Sequence, residues 1–248
     1  MKPTLLLLAV ALVAPGVAHA TSTTATAQAE WRAAKAAYGR GDYQKAFADT
    51  RLLAAQGYAV AEFGTGAMYA KGRGVTQNYS KAVKWYRLAA AQGNAFAEID
   101  LGEMYLDGQG VTQNYAEALK WYRLAAAQGD AVAEFNLGVM YANGQGVTQN
   151  YAEALKWYRL AAAQGDAGAE FNLGVMYSKG QGVPQNYVAA YKWNLIAKAT
   201  MSATNRNYAT VSNNVKQLAA MMTPAQIAQA QQEASAWYAA HAKGDDSN

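Results

Sequence analysis

The sequence predicts an all-α fold, an α-solenoid of repeated antiparallel helix pairs, and three observations carry that expectation. The first is a period. The letters GQGVTQNYAEALKWYRLAAAQGDA run from Gly108 to Ala131 and return unchanged, 36 residues on, from Gly144 to Ala167. Trp85, Trp121, Trp157 and Trp193 keep that spacing, as do Tyr79, Tyr115, Tyr151 and Tyr187. A fixed period of this length marks a unit that buries its apolar face only against its neighbours. The second is composition. Apolar residues make up 52% of the chain, yet Ile appears only at Ile99, Ile196 and Ile227, while Ala, Leu, Gln, Lys and Glu fill the long segments. Those residues favour helix over strand. The third is punctuation: GRGV at Gly72 and GQGV at Gly108, Gly144 and Gly180 keep one phase, each just after an aromatic-ended segment. Glycines there can take the positive φ of a helix exit.

Taken from the N-terminus, residues 1–20 read as an export leader. Lys2 precedes an apolar run from Leu5 to Val13, Pro15 and Gly16 break it, and Ala18-His19-Ala20 fits a small-x-small cleavage site. The run is short of the ~20 residues that span a bilayer. Cleavage after Ala20 is expected, leaving a periplasmic or secreted chain that does not span a membrane. Residues 21–56 are expected to cap the stack. Within them, 28–56 form a degenerate helix pair that keeps Tyr43, Ala46 and the closing Ala-Ala-Gln-Gly but places Asp49 where the units carry Trp. Four full units follow, 57–92, 93–128, 129–164 and 165–200. Residues 201–248 supply C-terminal capping helices and a tail, with Thr223 as N-cap and Pro224 at the first position of the last helix. Such end units cover the apolar face that a solenoid would otherwise leave open.

Inside a unit the pattern reads as two helices. In the third, Asp130 is placed to accept from the free amides of a first helix whose Ala133, Leu137 and Tyr141 recur at i, i+4 and i+8. The glycine loop ends it. Asn150 and Glu153 then make an N-x-x-E start for a second helix with Ala154, Leu155, Tyr158, Ala161 and Ala162 as its apolar stripe, Trp157 beside them and Gly165 closing it. This unit closely resembles the Sel-one-like repeat, a relative of the tetratricopeptide repeat. The resemblance rests on Leu137-Gly138-x-Met140-Tyr141, the G-x-G-V loop and the Lys156-Trp157-Tyr158-Arg159-Leu160 second helix, and covers residues 57–200. It implies a right-handed superhelix used mainly to hold other proteins, with first helices lining a concave groove and second helices on the convex side. It also implies envelope, secretion and host-interaction roles. Some exported relatives are β-lactam hydrolases with disulfide-linked repeats, a feature this chain lacks for want of any Cys.

The inventory of reactive residues is thin. With no Cys, thiol chemistry, disulfides and thiolate metal sites are excluded. His occurs only at His19 and His241, so neither a His base nor a His-rich zinc site is expected. Glu62, Glu98, Glu134 and Glu170 share one address four times over, which suits inter-repeat hydrogen bonding rather than an acid/base pair in two different environments. GQGV lacks the ending of a P-loop and follows a helix, so it is a turn. The tryptophans are expected to pack between units, leaving Trp31 and Trp237 as the ones free to stack on a ligand. Net charge is +4, or +3 once Lys2 leaves with residues 1–20, a weak pull on any polyanion; no nucleic-acid partner and no cofactor is expected.

Binding positions are sought where otherwise similar units differ. Three rows on the first helices qualify: Val60, Phe96, Val132, Gly168; then Gly64, Asp100, Asn136, Asn172; then Ala67, Glu103, Val139, Val175. By the resemblance these line the concave groove, where Asx side chains can bond a peptide backbone and Phe96 and the valines offer apolar contact. The expected function is therefore a non-catalytic scaffold for a protein or peptide partner. A second reading is a peptidoglycan or polysaccharide binder that uses the basic rows Lys84, Lys120, Lys156 and Arg87, Arg123, Arg159 on the convex side. A third is a cell-envelope hydrolase.

Overall fold

The structure, a computed structural model, describes residues 24–241, so the expected leader lies outside the described residues. Those residues form twelve α-helices and no strand. A capping pair, α1 (Thr24–Gly39) and α2 (Tyr43–Ala55), opens the chain. The four units contribute α3 (Ala59–Lys71) with α4 (Tyr79–Ala91), α5 (Ala95–Asp107) with α6 (Tyr115–Ala127), α7 (Ala131–Asn143) with α8 (Tyr151–Ala163), and α9 (Ala167–Lys179) with α10 (Tyr187–Thr200). Two further helices, α11 (Tyr208–Ala220) and α12 (Pro224–His241), end it.

Local chemistry sets these boundaries. Asn114 and Asn150 accept from the Glu117 and Glu153 amides to start α6 and α8, and Asp130 accepts from the Val132 and Ala133 amides to start α7. Only half of the expected capping box forms at α8, because the Glu153 carboxylate pairs with Lys156 instead of reaching back. The loop needs both its glycines. Gly144 ends α7 at φ 70, in the left-handed region open to glycine. Gly146 lies so close to the start of α6 that a Cβ would sit 2.5 Å from the Tyr115 carbonyl carbon.

Packing follows the period. Tyr122 and Tyr158 pack on Gly102 and Gly138 of their own first helices, where a Cβ would fall 2.6 Å and 2.5 Å from the ring, which accounts for the glycine kept there in every unit. Tyr122, Leu137 and Met140 are fully buried in one cluster, and Trp121 packs against both this cluster and the one before it. The tryptophans thus join units, as expected. Glu62, Glu98 and Glu134 act within a unit instead: each accepts from the Gln that closes its own second helix, at 2.7 Å from Gln92, 2.8 Å from Gln128 and 2.8 Å from Gln164. They clamp the start of one helix to the end of its partner.

Neighbouring first helices meet across unit boundaries. Phe63 of α3 meets Phe96 of α5 with ring centroids 5.9 Å apart, and α7 touches α9 across a unit boundary, while no two second helices of neighbouring units approach to that extent. At the C-terminal end α11 packs on α10 much as the first helix of another unit would. The last helix does not complete a fifth pair. It lies along α10, where Trp237 meets Trp193 at 4.8 Å, the Tyr238 hydroxyl donates to the Ile196 carbonyl and Glu233 pairs with Lys192. Leu160 is 48% exposed and Ile196, one period later, is 0% exposed, so α12 is the lid on that face.

Candidate functional site: a groove lined by the first helices

Each first helix turns one stripe, at i, i+4, i+7 and i+11, toward the inner face. On α5 the stripe is Phe96, Asp100, Glu103 and Asp107; on α7 it is Val132, Asn136, Val139 and Asn143; on α9 it is Gly168, Asn172, Val175 and Lys179. Phe96, Glu103 and Val132 are exposed, and Asp100, Asn136, Val139, Asn172 and Val175 are half-buried. The structure therefore brings the eight candidate positions together on one side of the stack. Asp100 and Asn172 also serve the scaffold, since each hydrogen-bonds a hydroxyl from the preceding second helix, Tyr86 and Tyr158 respectively. Asn136 breaks the series. Its amide donates to Val132 of its own helix at 2.9 Å, and the buried hydroxyl of Tyr122 is left without a partner.

Cavities open at both ends of this face. Near the N-terminus two apolar pockets of about 240 Å³ flank Trp31, one against Leu53, Tyr58 and Val60, the other against Tyr38, Gly64 and Ala67. The latter exists because the second and third rows start with the small residues Gly64 and Ala67: a Cβ on Gly64 would already stand 3.1 Å from the Trp31 ring. Trp31 and Lys35 sit 36 residues before Ala67 and Lys71, so α1 continues the stripe that the sequence rows started at Val60. A cavity of about 420 Å³ lies at the other end between Phe171, Val175 and Lys179 of α9 and Thr210, Asn214 and Met221 at α11.

The second helices carry a different chemistry. Arg87, Arg123 and Arg159 each donate to a tyrosine of the next first helix, Tyr105, Tyr141 (2.7 Å) and Tyr177 (2.6 Å), so these arginines fasten consecutive units. Lys120 and Lys156 pair with Glu117 and Glu153 one turn earlier, while Lys84 is exposed with no ion pair among the described residues. Spacing alone did not reveal the arginine bonds, because an Arg and a Tyr 18 residues apart have no local signature.

Burial raises the carboxyl pKa of Glu62, Glu98 and Glu134, and the Gln amide pulls each part of the way back. Glu170 is the exception. Its unit ends in Thr200 where the others have Gln, the residue is 1% exposed and Oε2 has no partner; desolvation lifts the carboxyl to about 7, and the Thr200 hydroxyl offsets only part of that rise. No cluster of His, Cys, Asp or Glu among the described residues could hold a metal ion. No helix among them is long and apolar enough to cross a membrane.

The comparisons agree with this architecture. The Sel1 repeat matches at 59–94, 95–130, 131–166 and 167–196, two residues later than the unit boundaries read from the sequence. A Sel1 repeat protein from Oxalobacter formigenes is similar, with 31% identity and a TM-score of 0.73 over 87% of this chain and 89% of that one. So is a protective antigen present in uropathogenic Escherichia coli strains and displaying an SLR fold: 29% identity and a TM-score of 0.69 over 88% of this chain. The chain spans 53% of that antigen's length. No curated protein matches the chain significantly. A helix pair repeated four times in phase, matched unit by unit over more than half of the sequence, makes this chain a member of the Sel1 repeat family.

Proposed function

We propose that the chain is an exported, non-catalytic scaffold that binds a protein or peptide partner in the groove lined by its first helices. One observation carries the reading. Units two and three have the same second helix, YAEALKWYRLAAA, yet their first helices differ at all four positions of the inner stripe, Phe96/Val132, Asp100/Asn136, Glu103/Val139 and Asp107/Asn143, and at only two packing positions, Ile99/Phe135 and Leu106/Ala142. A stack of packed pairs presents such a stripe already in place, so a partner is bound without the ordering of a loop. The pockets beside Trp31 add apolar anchorage at one end. Export rests on Lys2, the Leu5–Val13 run and Ala18-His19-Ala20, and places the scaffold in the periplasm or beyond.

The glycan reading has less support, because the arginines of its basic rows are already bonded to tyrosine hydroxyls. The test is in-cell crosslinking with a photoreactive residue at position 136 and, separately, at 156. A defined protein captured at 136 and not at 156 is the expected result. Cell-wall fragments at 156 and no protein at 136 would replace the scaffold reading with the glycan one.

A further inference from the structure

The inner stripe of α5 differs in kind from its neighbours. Asp100, Glu103 and Asp107 follow Phe96 along one face, whereas the matching positions are Gly64, Ala67 and Lys71 on α3, Asn136, Val139 and Asn143 on α7, and Asn172, Val175 and Lys179 on α9. None of the three carboxylates has an ion-pair partner within 4.0 Å among the described residues, although Lys71 of α3 favours the charged form of Asp100 from a distance. Three like charges one to two turns apart repel one another, and although Asp100 bonds the Tyr86 hydroxyl, no contact within the fold calls for a carboxylate at Glu103 or Asp107.

A second observation points to a ligand. The Tyr122 hydroxyl is fully buried, has no hydrogen-bond partner, and lies in the field of Glu103, Asp107 and Asp100. Its counterparts Tyr86 and Tyr158 are both satisfied by the Asx of the next first helix, so the orphan falls at the one unit that carries the acidic stripe. Partial desolvation by the neighbouring helices first, then repulsion from Asp100 and Asp107, raises the Glu103 carboxyl pKa even though the residue is exposed to the groove. The carboxylates are strung along the helix and do not converge into a metal-binding group. A row of side-chain cations suits them better than a single ion. Phe96, 63% exposed and in contact with Phe63, supplies an apolar surface at the head of the row.

We infer that the inner face of α5 receives a cationic segment of the partner, with lysine or arginine side chains against Asp100, Glu103 and Asp107 and an apolar side chain over Phe96. This deepens the groove reading above and rests on it. The chain as a whole is positive, at +4, so a cationic segment would be held by this local patch and repelled by the average surface.

The test uses the full chain and a labelled peptide of about twelve residues with lysines at every third or fourth position and one tryptophan, read by fluorescence anisotropy between about 20 and 200 mM salt. Versions with Gln or Glu for Lys serve as comparisons. The lysine peptide is expected to bind, to weaken about tenfold or more over that salt range, and to lose about tenfold in affinity on Asp100→Asn/Glu103→Gln/Asp107→Asn. That triple variant relieves repulsion and should fold; a thermal melt checks it. Tyr122→Phe, which removes one hydroxyl, is expected to weaken binding about twofold. Equal binding of the Gln or Glu peptide, blocked by Asn136→Arg, would overturn the cationic preference and leave the groove reading standing. Lysine-peptide binding that survives both the triple variant and Asn136→Arg would overturn the inference and the groove reading together. No binding by any of the three peptides, with a protein still crosslinked at position 136, would overturn the inference alone.

Discussion

The second helices α6 and α8 have the same thirteen residues; the first helices α5 and α7, which lie beside them, differ at all four positions of the inner stripe and at two packing positions, Ile99/Phe135 and Leu106/Ala142, while they keep Gly and Tyr where the core needs them. Identity on one side and variation on the other separate two tasks. Tyr122 and Tyr158 press on Gly102 and Gly138, Trp121 bridges two consecutive clusters while Trp157 packs against the one that joins units two and three, and Gln128 and Gln164 close on Glu98 and Glu134. Those contacts hold the stack. The stripe on the other helix varies more because it carries less of the packing, although Val139 packs against a buried cluster and Asp100 and Asn172 bond tyrosine hydroxyls.

Substitutions sharpen that contrast. The largest effect is expected from Tyr158→Ala, which would empty the space over Gly138 and cost about 3–5 kcal/mol in urea unfolding, with Tyr122→Ala matching it in unit two. Similar losses in both units would confirm that the second helices are equivalent parts; a twofold difference would show that inner-stripe chemistry reaches the core.

The next effect concerns Glu170, where constancy fails. A carboxyl lifted from 4.5 to about 7 in the fold binds its proton more tightly folded than unfolded, so its contribution is fully present below about pH 4.5 and is lost as pH rises through 7. Glu170→Gln is expected to stabilise the chain at pH 8 by as much as about 3 kcal/mol and to change little at pH 4. A flat difference between the two proteins from pH 4 to 8 would show that Thr200 or a neighbour satisfies the charge. Gln164→Ala leaves Glu134 buried without its amide and should cost about 1–2 kcal/mol at neutral pH. The smallest effect belongs to the inner stripe: Val139→Ser, at a half-buried position, is expected to cost about 1 kcal/mol or less while altering partner binding. A loss above about 2 kcal/mol would place Val139 in the scaffold instead.

Legibility in the sequence followed the same division. The helix pairs, their caps at Asp130, Asn150 and Thr223, the glycine loop and the bridging tryptophans could all be read from period and residue type, because each depends on positions close in sequence or on the repeat itself. The Glu–Gln clamp was half visible. The glutamate row stood out, but its partners lie 30 residues on and share its period, so phase alone could not tell a bond within a unit from one between units. The docking of α12 on α10 was hidden, since an Ala- and Gln-rich helix with Ala230 and Ala234 as its buried residues shows no strong apolar stripe. The acidic stripe is hidden in the rows that run across units, which separate Asp100 from Glu103; it shows only along α5, where the two stand one turn apart.

The most direct test of the division between scaffold and groove is hydrogen exchange on the full chain, alone and with the protein crosslinked at position 136. Peptides from α5 and α7 differ in sequence and report separately, while the identical α6 and α8 report together. The account predicts added protection on α3, α5 and α7 and no change on the second helices. Protection centred on Lys120–Leu124 and its copy, with the first helices unchanged, would contradict it.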